Sequence, residues 1–458
     1  MTGVKPVCVP PLIHACLPPH LRVQKALPEW KKLGDQYVSQ VVEGGLKLDW
    51  IEEFDPENPS AEFAPPWKYP QPEQPPAVAK IIQTWVTQGL LTVQPVRNVK
   101  CCFSIFAIPK KEQDEWRLIT NLKSLNEFLQ TTHFSLPTLK DIIPFLHKGM
   151  WACKVDIKGA YNHLPIAPRD KSYLNFCYEG QYYRHESLPF GLNVAPREWQ
   201  RCMLPIINRL RQQGALIWVY LDDFLILGEN PQEVAQHTQA LLNLLVDLGL
   251  EVNTPKSVIN PVQSLVFLGF QLDLLQGTLA VPQEKISATI LELAKCTKGK
   301  PLSKRKLAGV LGKLRSLLFA MPQLRLFSNH LAKMLKVYNA LPWEASIYLD
   351  QFAVAQVEEC IQLVKSWKGR ALDLPTVSQT LFTDASDSAW GAVQGDLQDP
   401  ITGWFTDSQM ALHINLKEAE AALQGVLTHA WSNCQLHLFT DNTTLYWGLR
   451  RWGSKSPP

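Results

Sequence analysis

Long apolar runs are missing from this 458-residue chain. Stretches such as Ile217 to Leu221 fall far short of the about 18 residues that cross a bilayer, so no membrane span is expected. No secretory leader is expected either. Pro10, Pro11, Pro18 and Pro19 interrupt the region where a cationic and then apolar leader would lie. Cysteine occurs ten times, but never as Cys-x-x-Cys and never at a Cys/His zinc spacing. Scattered thiols without a leader fit a reducing, intracellular compartment, where they act as small buried hydrophobes. Net charge is nearly absent: 45 Lys and Arg stand against 42 Asp and Glu, a balance of +3. Over the whole chain, that balance argues against a general nucleic-acid binder. Charged residues make up 19% and hydrophobic residues 46%, which excludes a mainly disordered chain and a small disulfide-stapled scaffold. At about 150 residues per domain, roughly three domains are expected.

What is present is organised unevenly. Residues 1–54 form an N-terminal region of mixed pattern around Trp30 to Trp50. Eight prolines follow between positions 56 and 76, so 55–76 reads as an extended linker or wrapping arm. Val78, Ile81, Ile82, Trp85 and Val86 share one helical face, with Gly89 as a stop. Phe103 to Ile108 predicts a strand. Tyr173–Tyr178 and Gln181–Glu186 predict a hairpin turned at Glu179-Gly180. Pro196 to Leu210 predicts a helix, and Ile217–Tyr220 and Phe224–Leu227 two short buried strands. Asn230, Pro231 and Glu233 then supply a cap, a first-turn proline and a capping-box acid for a helix running to about Gly249. This order suggests an α+β layer with helices under an antiparallel sheet.

Two carboxylates, Asp222 and Asp223, sit between the two apolar strands. Turn chemistry asks for neither, since Asn-Gly would serve better. Adjacent acids at a rigid hairpin tip suit hard divalent cations; a solvated acidic turn is the plainer reading. A third acid, Asp156, closes another short strand, Lys154–Ile157. If the strands are neighbours, the three acids form one cluster. Such a cluster is natural around two cations about 4 Å apart, which serve in-line phosphoryl displacement.

At this point the residues resemble the reverse transcriptases, through six blocks in that family's order. These are Phe103–Asn126 with Pro109-Lys110-Lys111 and Trp116-Arg117-Leu118, then Asp156–Tyr161, and then Leu188-Pro189-Phe190-Gly191-Leu192 with Ala195-Pro196. Tyr220–Asp223, Asn253–Ser257 and Phe267-Leu268-Gly269-Phe270 complete the set. The resemblance implies an RNA-directed DNA polymerase of α+β class, a right hand with an antiparallel palm sheet. Its fingers would span 77–150, its palm 151–282 and its thumb and connection 283–371. It further implies that Asp156 and Asp222 hold two Mg²⁺ ions, with Asp223 in support and Mn²⁺ as a substitute. Lys110 and Arg117 would face the triphosphate, although acids nearby also fit an ordinary basic loop. Tyr161 would be the steric gate against a ribose 2′-hydroxyl, or simply a core aromatic. Phe190 and Gly191 would approach the incoming base pair, glycine being needed for clearance. Lys256 would protonate the departing pyrophosphate, or be a surface lysine. Phe267 to Phe270 would seat the primer end, or be a plain apolar strand. The implied partners are an RNA or DNA template-primer and dNTPs.

A second set of acids follows. Asp384 ends the strand-like Leu381–Asp384, Glu418 opens a helix, and Asp441 follows the strand Leu436–Thr440. Glu418 also stands three residues past Asn415, as a capping acid would. The pattern resembles the first three metal-binding carboxylates of the ribonuclease H fold, in a partial α/β domain over 372–458. The family's domain continues beyond this point, so a truncated domain with at most residual ribonuclease H activity is expected. The wording Thr383-Asp384-Ala385-Ser386, His413-Ile414-Asn415 with Glu418, and Thr440-Asp441-Asn442-Thr443-Thr444 is similar to DIRS-type retrotransposons, which pair this polymerase with a tyrosine recombinase. An inactive nucleic-acid-binding remnant, or an enzyme of a gypsy-like or pararetroviral element, are the alternatives.

The distribution of charge fits this reading. Residues 297–340 hold Lys298, Lys300, Lys304, Arg305, Lys306, Lys313, Arg315, Arg325, Lys333 and Lys336 and no acid, which leaves −7 for the rest. Leu307, Val310, Leu311, Leu314 and Leu317 give this stretch an apolar face, so the cations would project from the other side toward a duplex backbone.

Overall fold

The computed structural model describes residues 5–51, 75–109, 116–296, 300–373, 378–395, 400–429 and 434–451. The proline-rich 55–76 stretch lies outside them except for its last two residues. The chain divides into two compact units: residues 1–145 with 149–265, and residues 146–148 with 266–458.

The first unit opens with α1 (Pro19–Lys25) and α2 (Gln36–Gly44). Asp35 caps α2, its carboxylate accepting the Val38 N–H at 2.9 Å. The mixed N-terminal pattern hides a core element. Val23, Trp30, Val38, Val42, Leu46 and Leu48 are buried in the same cluster as Val155, Phe224 and Ile226. The expected helix after the linker is α3 (Ala77–Thr87), closed by Gly89 in a left-handed conformation. Strand β1 (Leu91–Gln94) follows, and then β2 (Ile105–Pro109) and β3 (Trp116–Thr120) pair as a ladder from Ile105↔Thr120 to Pro109↔Trp116. Next come β4 (Trp151–Asp156), β5 (Asn175–Tyr178) and β6 (Gln181–His185). The β5–β6 hairpin turns at Glu179-Gly180, both at positive φ, as the sequence predicts. Helix α4 (Ala195–Arg211), β7 (Leu216–Tyr220), β8 (Asp223–Gly228), α5 (Pro231–Asp247) and β9 (Val258–Val262) complete the unit. Asn230 accepts the Glu233 N–H at 2.9 Å, and Pro231 stands at the first position of α5. The Glu233 carboxylate reaches the Glu229 N–H, one residue before the cap.

An antiparallel sheet in the order β9-β4-β8-β7 frames this unit. Helix α4 packs on β7, and α5 on β9, β4 and β8. Phe224 to Leu227 are buried at every position, so both faces of β8 are covered. Each such side chain contributes about 2 kcal/mol. The strand ends are thereby held on a stiff frame.

Two histidines of this unit are buried. His163 and His185 are wholly enclosed, and burial pulls both imidazoles down to about 4. The Nε2 atom of His163 accepts the Glu251 N–H at 3.1 Å, so its proton sits on Nδ1, toward the Ala160 carbonyl. An unfolded histidine titrates near 6.5, so the fold binds the neutral ring. Stability from this source is full above pH 6.5 and is lost as pH falls toward 4, by up to roughly 3 kcal/mol per ring. The thermal midpoint should be level from pH 8 to 7 and drop steadily from pH 6.5 to 5. A level midpoint down to pH 5 would reject this account.

The second unit contains β10 (Phe270–Asp273), β11 (Thr278–Ala280), α6 (Lys304–Arg315), α7 (Asn329–Val337) and α8 (Gln351–Ser366). These are followed by β12 (Ser378–Ala385), β13 (Ala389–Gln394), β14 (Ile401–Trp404), α9 (Ile414–His429), β15 (Gln435–Phe439) and α10 (Thr443–Arg451). A sheet in the order β14-β13-β12-β15 is antiparallel except that β12 and β15 run parallel, from Ser378↔Gln435 to Phe382↔Phe439. Helix α9 packs on β12 and β13. Gly425 permits that approach, since a Cβ there would lie 2.8 Å from the Ala392 side chain. Among the described residues, no helix is long and apolar enough to cross a membrane. The mixed α+β class matches the expectation.

Candidate active site

Tyr220 and Asp223 are register partners, so Leu221 and Asp222 form the two-residue turn between β7 and β8. Leu221 has φ +53°. Primed hairpin turns usually place glycine or asparagine at such a position, because a Cβ costs about 1 kcal/mol there. Helix α4 makes up for this. Gln200 accepts the Leu221 N–H at 2.9 Å and donates to the Val219 carbonyl at 3.0 Å. Trp199 donates its indole N–H to the Leu221 carbonyl at 2.9 Å. Asp222 is thus presented on a turn gripped from below. Neither Trp199 nor Gln200 carries a sequence signature; their only signal is a helix directly preceding the hairpin.

The strand carrying Asp156 is indeed the neighbour of the hairpin. Asp156 pairs with Asp223 across β4 and β8, and the Ile157 N–H donates to the Asp222 carbonyl at 2.9 Å. The Asp156 carbonyl accepts the Asn253 N–H at 2.8 Å, and its own N–H donates to Ser257 Oγ at 3.0 Å. Burial pushes the Asp156 carboxyl up to about 6; the Asn253 side chain opposes this by hydrogen bonding, while Asp222 and Asp223 add to it. Asp222 is also pushed up, by burial and then by Asp223. Asp223 is held by Lys154, Nζ to Oδ1 2.9 Å. The three acids therefore stand at adjacent strand ends, and one of them is turned onto a lysine. Two under-neutralised, half-buried carboxylates are a hard-oxygen donor set that fits a divalent cation.

Tyr161 follows on a 3₁₀ turn, its ring 5.2 Å from that of Phe190. The Arg117 guanidinium lies 5.1 Å from the Phe190 ring. Burial, with Asp222 beside it, pushes the Tyr161 hydroxyl up to about 12. Arg117, Tyr161, Phe190 and Asp222 thus share one neighbourhood. Gly191 is constrained for a reason the sequence did not give. Its φ is +112°, and a Cβ would lie 2.1 Å from the Thr120 carbonyl oxygen of β3. The clearance is needed within the protein itself. Asn126 fixes the same turn, donating to the Gly191 carbonyl at 2.9 Å and accepting the Asn193 N–H at 3.0 Å. Lys256 is exposed on the turn Thr254–Lys256. Lys110 lies outside the described residues.

In the second unit, Phe267 and Phe270 are buried, and Leu268 and Gly269 are both left-handed, φ +48° and +76°. The aromatic pair anchors the turn, and the Lys285 ammonium sits 4.8 Å from the Phe270 ring. The basic stretch is only partly the projecting stripe expected. Lys304 is 4% exposed and donates to the Asn339 and Leu341 carbonyls at 2.7 and 2.8 Å. Arg305 is paired with Glu344 at 2.5 Å. Lys306, Arg315, Arg325 and Lys336 are exposed, and Lys298 lies outside the described residues.

Asp384, Glu418 and Asp441 come together: one carboxylate oxygen from each lies within 4.8 Å of the others. Glu418 is 4% exposed and is pushed up by burial and by Asp384. Asn415 is not a cap. The His413 ring accepts the Asn415 N–H at 3.2 Å, and Asn415 Oδ1 instead accepts the Asn442 amide at 2.9 Å. Glu418 then falls on the fifth residue of α9, too far in for a capping box, and faces the two aspartates.

Comparison with known proteins gives a consistent pattern. Residues 108–272 match a family model described as reverse transcriptase (RNA-dependent DNA polymerase). The chain is 27% identical over 346 residues to the genome polyprotein of Petunia vein clearing virus, covering 73% of this chain and 15% of that one. It is 29% identical over 172 residues to the retrovirus-related Pol polyprotein from transposon gypsy of Drosophila melanogaster, covering 38% and 16%. It is 23% identical over 360 residues to the transposon Tf2-3 polyprotein of Schizosaccharomyces pombe, covering 77% and 26%. The chain thus spans well under two thirds of the length of these relatives. Among solved structures it is similar in fold to the foamy viral protease-reverse transcriptase in complex with dsDNA, with a TM-score of 0.59 at 14% identity over 96% of this chain and 92% of that one.

Proposed function

We propose, from the premise that residues 108–272 are a reverse transcriptase domain of a retroelement, that the chain extends a primer 3′-hydroxyl with dNTPs on an RNA or DNA template. The observation that carries this reading is Asp156 in register with Asp223 beside the gripped Asp222 turn, next to Arg117, Tyr161 and Phe190. Asp156 and Asp222 would hold two Mg²⁺ ions, with Mn²⁺ as a substitute. When bound, the metals activate the primer hydroxyl and stabilise the leaving oxygen. Asp223, turned to Lys154, keeps the strand ends aligned. Arg117 neutralises triphosphate charge, Lys110 would join it, and Lys256 supplies a proton to pyrophosphate. The Leu268-Gly269 turn seats the primer end, and the exposed cations of the thumb hold the duplex backbone in a salt-dependent way. A homopolymer primer-extension assay with Mg²⁺ and with Mn²⁺ tests the reading. Duplex binding without extension under either metal would replace it with an inactive remnant.

Tyr161 acts as the gate against ribonucleotides. Its ring is braced by Phe190, so a 2′-hydroxyl meets a fixed wall. Tyr161→Ala should lower dNTP-over-rNTP selectivity by about two orders of magnitude, since steric exclusion of a hydroxyl is lost while phosphate contacts stay. Competition between dCTP and CTP in single-nucleotide extension measures this, and unchanged selectivity would reject the gate.

The subclass we infer is DIRS-type, supported by the Thr383–Ser386, His413–Glu418 and Thr440–Thr444 wording. A tyrosine recombinase gene beside the coding sequence would test it. The likeness to the gypsy and petunia virus polyproteins favours a second reading, an element of those kinds. Asp384, Glu418 and Asp441 would supply residual ribonuclease H activity through a metal of their own. The ten cysteines are all free thiols, which supports work inside the cell.

A further inference from the structure

The N-terminal helices precede the matched stretch in sequence, yet they reach the back of the acid cluster. Arg22, on α1, is 4% exposed. Its Nη2 lies 2.8 Å from Glu251 Oε2, and its Nη1 donates to the Leu17 carbonyl at 3.1 Å. The other Glu251 oxygen lies 2.7 Å from Lys158 Nζ. Residues 251–253 run beside 156–158. The Lys158 N–H donates to the Glu251 carbonyl at 2.9 Å, Ile157 bridges Val252, and the Asn253 N–H donates to the Asp156 carbonyl at 2.8 Å. One short segment therefore touches Asp156 on one side and α1 on the other.

The approach of α1 is built in. Gly249 has φ +77°, and a Cβ there would lie 2.8 Å from the Arg22 carbonyl group. Trp30 donates its indole N–H to the Leu248 carbonyl at 3.0 Å. A buried guanidinium is a poor way to gain stability, because an apolar side chain of equal volume would fill the space without losing hydration. What the ion pair adds is a fixed direction: it sets where Glu251 sits, and with it the 251–253 segment.

We propose that α1 is a brace for the strand end carrying Asp156, and that Arg22 is a positioning residue acting through Glu251. This rests on the polymerase reading of Asp156. Arg22→Met keeps the stem and removes the charge, and Arg22→Lys keeps the charge. Val38→Ala, a buried α2 change away from Glu251, controls for general loosening. Hydrogen exchange on the metal-free full chain reads the brace directly. In peptides covering 151–164 and 248–257, Arg22→Met should speed exchange about tenfold beyond any change in global stability, as for local opening. Arg22→Lys should restore most of the protection, and Val38→Ala should produce no local excess. Primer extension should show kcat down about tenfold with KM for dNTP within about twofold, as expected when alignment rather than binding is lost. Unchanged exchange at those peptides, or an equal rise in Val38→Ala, overturns the brace. Absence of extension by the wild-type chain would refute the polymerase reading instead, and the exchange result would still decide for or against the brace.

Discussion

Asp222→Asn should cut primer extension by about three orders of magnitude, the scale of losing a group that stabilises transition-state charge. Template-primer affinity should stay within about twofold, because phosphate contacts elsewhere carry that affinity. The structure says why the two effects separate. The turn that presents Asp222 is held by backbone contacts: Gln200 and Trp199 bind the Leu221 N–H and carbonyl. Asparagine changes none of them. What changes is charge. In the metal-free protein, Asp156 is pushed from an ordinary 3.8 up to about 6, so its ionisation costs stability as pH rises through that range. That stability is full below about pH 4 and is lost by about pH 6. Removing the Asp222 charge relieves part of the cost. The metal-free variant should therefore unfold no earlier than wild type at pH 7, and its midpoint should gain on that of wild type as pH rises from 4 to 6. Single-turnover extension, duplex binding by anisotropy and thermal unfolding read the three parts. Extension at the wild-type rate would sink the two-acid mechanism; a large fall in the midpoint would reject the account of the turn.

Much of this site was legible because its acids are framed by apolar strands. Ile217–Tyr220 and Phe224–Leu227 could only be buried, so their turn had to lie within Leu221–Asp223; the structure narrows it to Leu221 and Asp222, with Asp223 already in β8. Asp156 could be placed beside them once its strand was taken as a neighbour. The rest failed for identifiable reasons. Trp199 and Gln200 look like ordinary helix residues, since a hydrogen bond to a backbone 20 residues away leaves no periodic trace. The N-terminal helices read as mixed because their apolar residues meet a sheet that forms over a hundred residues later, and pattern alone names no partner. Lys304 was grouped with the projecting cations. In a run of like charges nothing distinguishes the one whose ammonium folds back onto the Asn339 and Leu341 carbonyls. Asn415 and Glu418 stood at capping distance, but the helix starts at Ile414, with the His413 ring accepting the Asn415 N–H, which moved Glu418 inward toward Asp384 and Asp441.

Gly191→Ala is expected to damage both folding and nucleotide binding, and the pairing of the two is the test. If glycine served only to clear space for a base pair, alanine would raise KM for dNTP and leave the fold unharmed. The structure gives a different expectation. The added methyl would meet the Thr120 carbonyl oxygen at 2.1 Å, on a backbone at φ +112° that L side chains rarely adopt. Thr120 has nowhere to retreat. It is 1% exposed, its N–H donates to the Phe190 carbonyl at 3.2 Å, and its hydroxyl meets His185 Nε2 at 2.9 Å. The Gly191 turn must move instead, and it carries the Phe190 ring that braces Tyr161 and faces Arg117. Strain plus overpacking should cost roughly 3 kcal/mol, with KM for dNTP up about tenfold or more. Asn126→Ala, which removes the hydrogen bonds to Gly191 and Asn193 without adding atoms, should cost only about 1 kcal/mol. Denaturant unfolding and steady-state extension on the two variants decide the matter. A Gly191→Ala protein as stable as wild type but weak in nucleotide binding would return the glycine to the base pair. A protein destabilised more than Asn126→Ala, with Tyr161 selectivity lowered as well, would assign it to the Thr120 contact that shapes the nucleotide site from within.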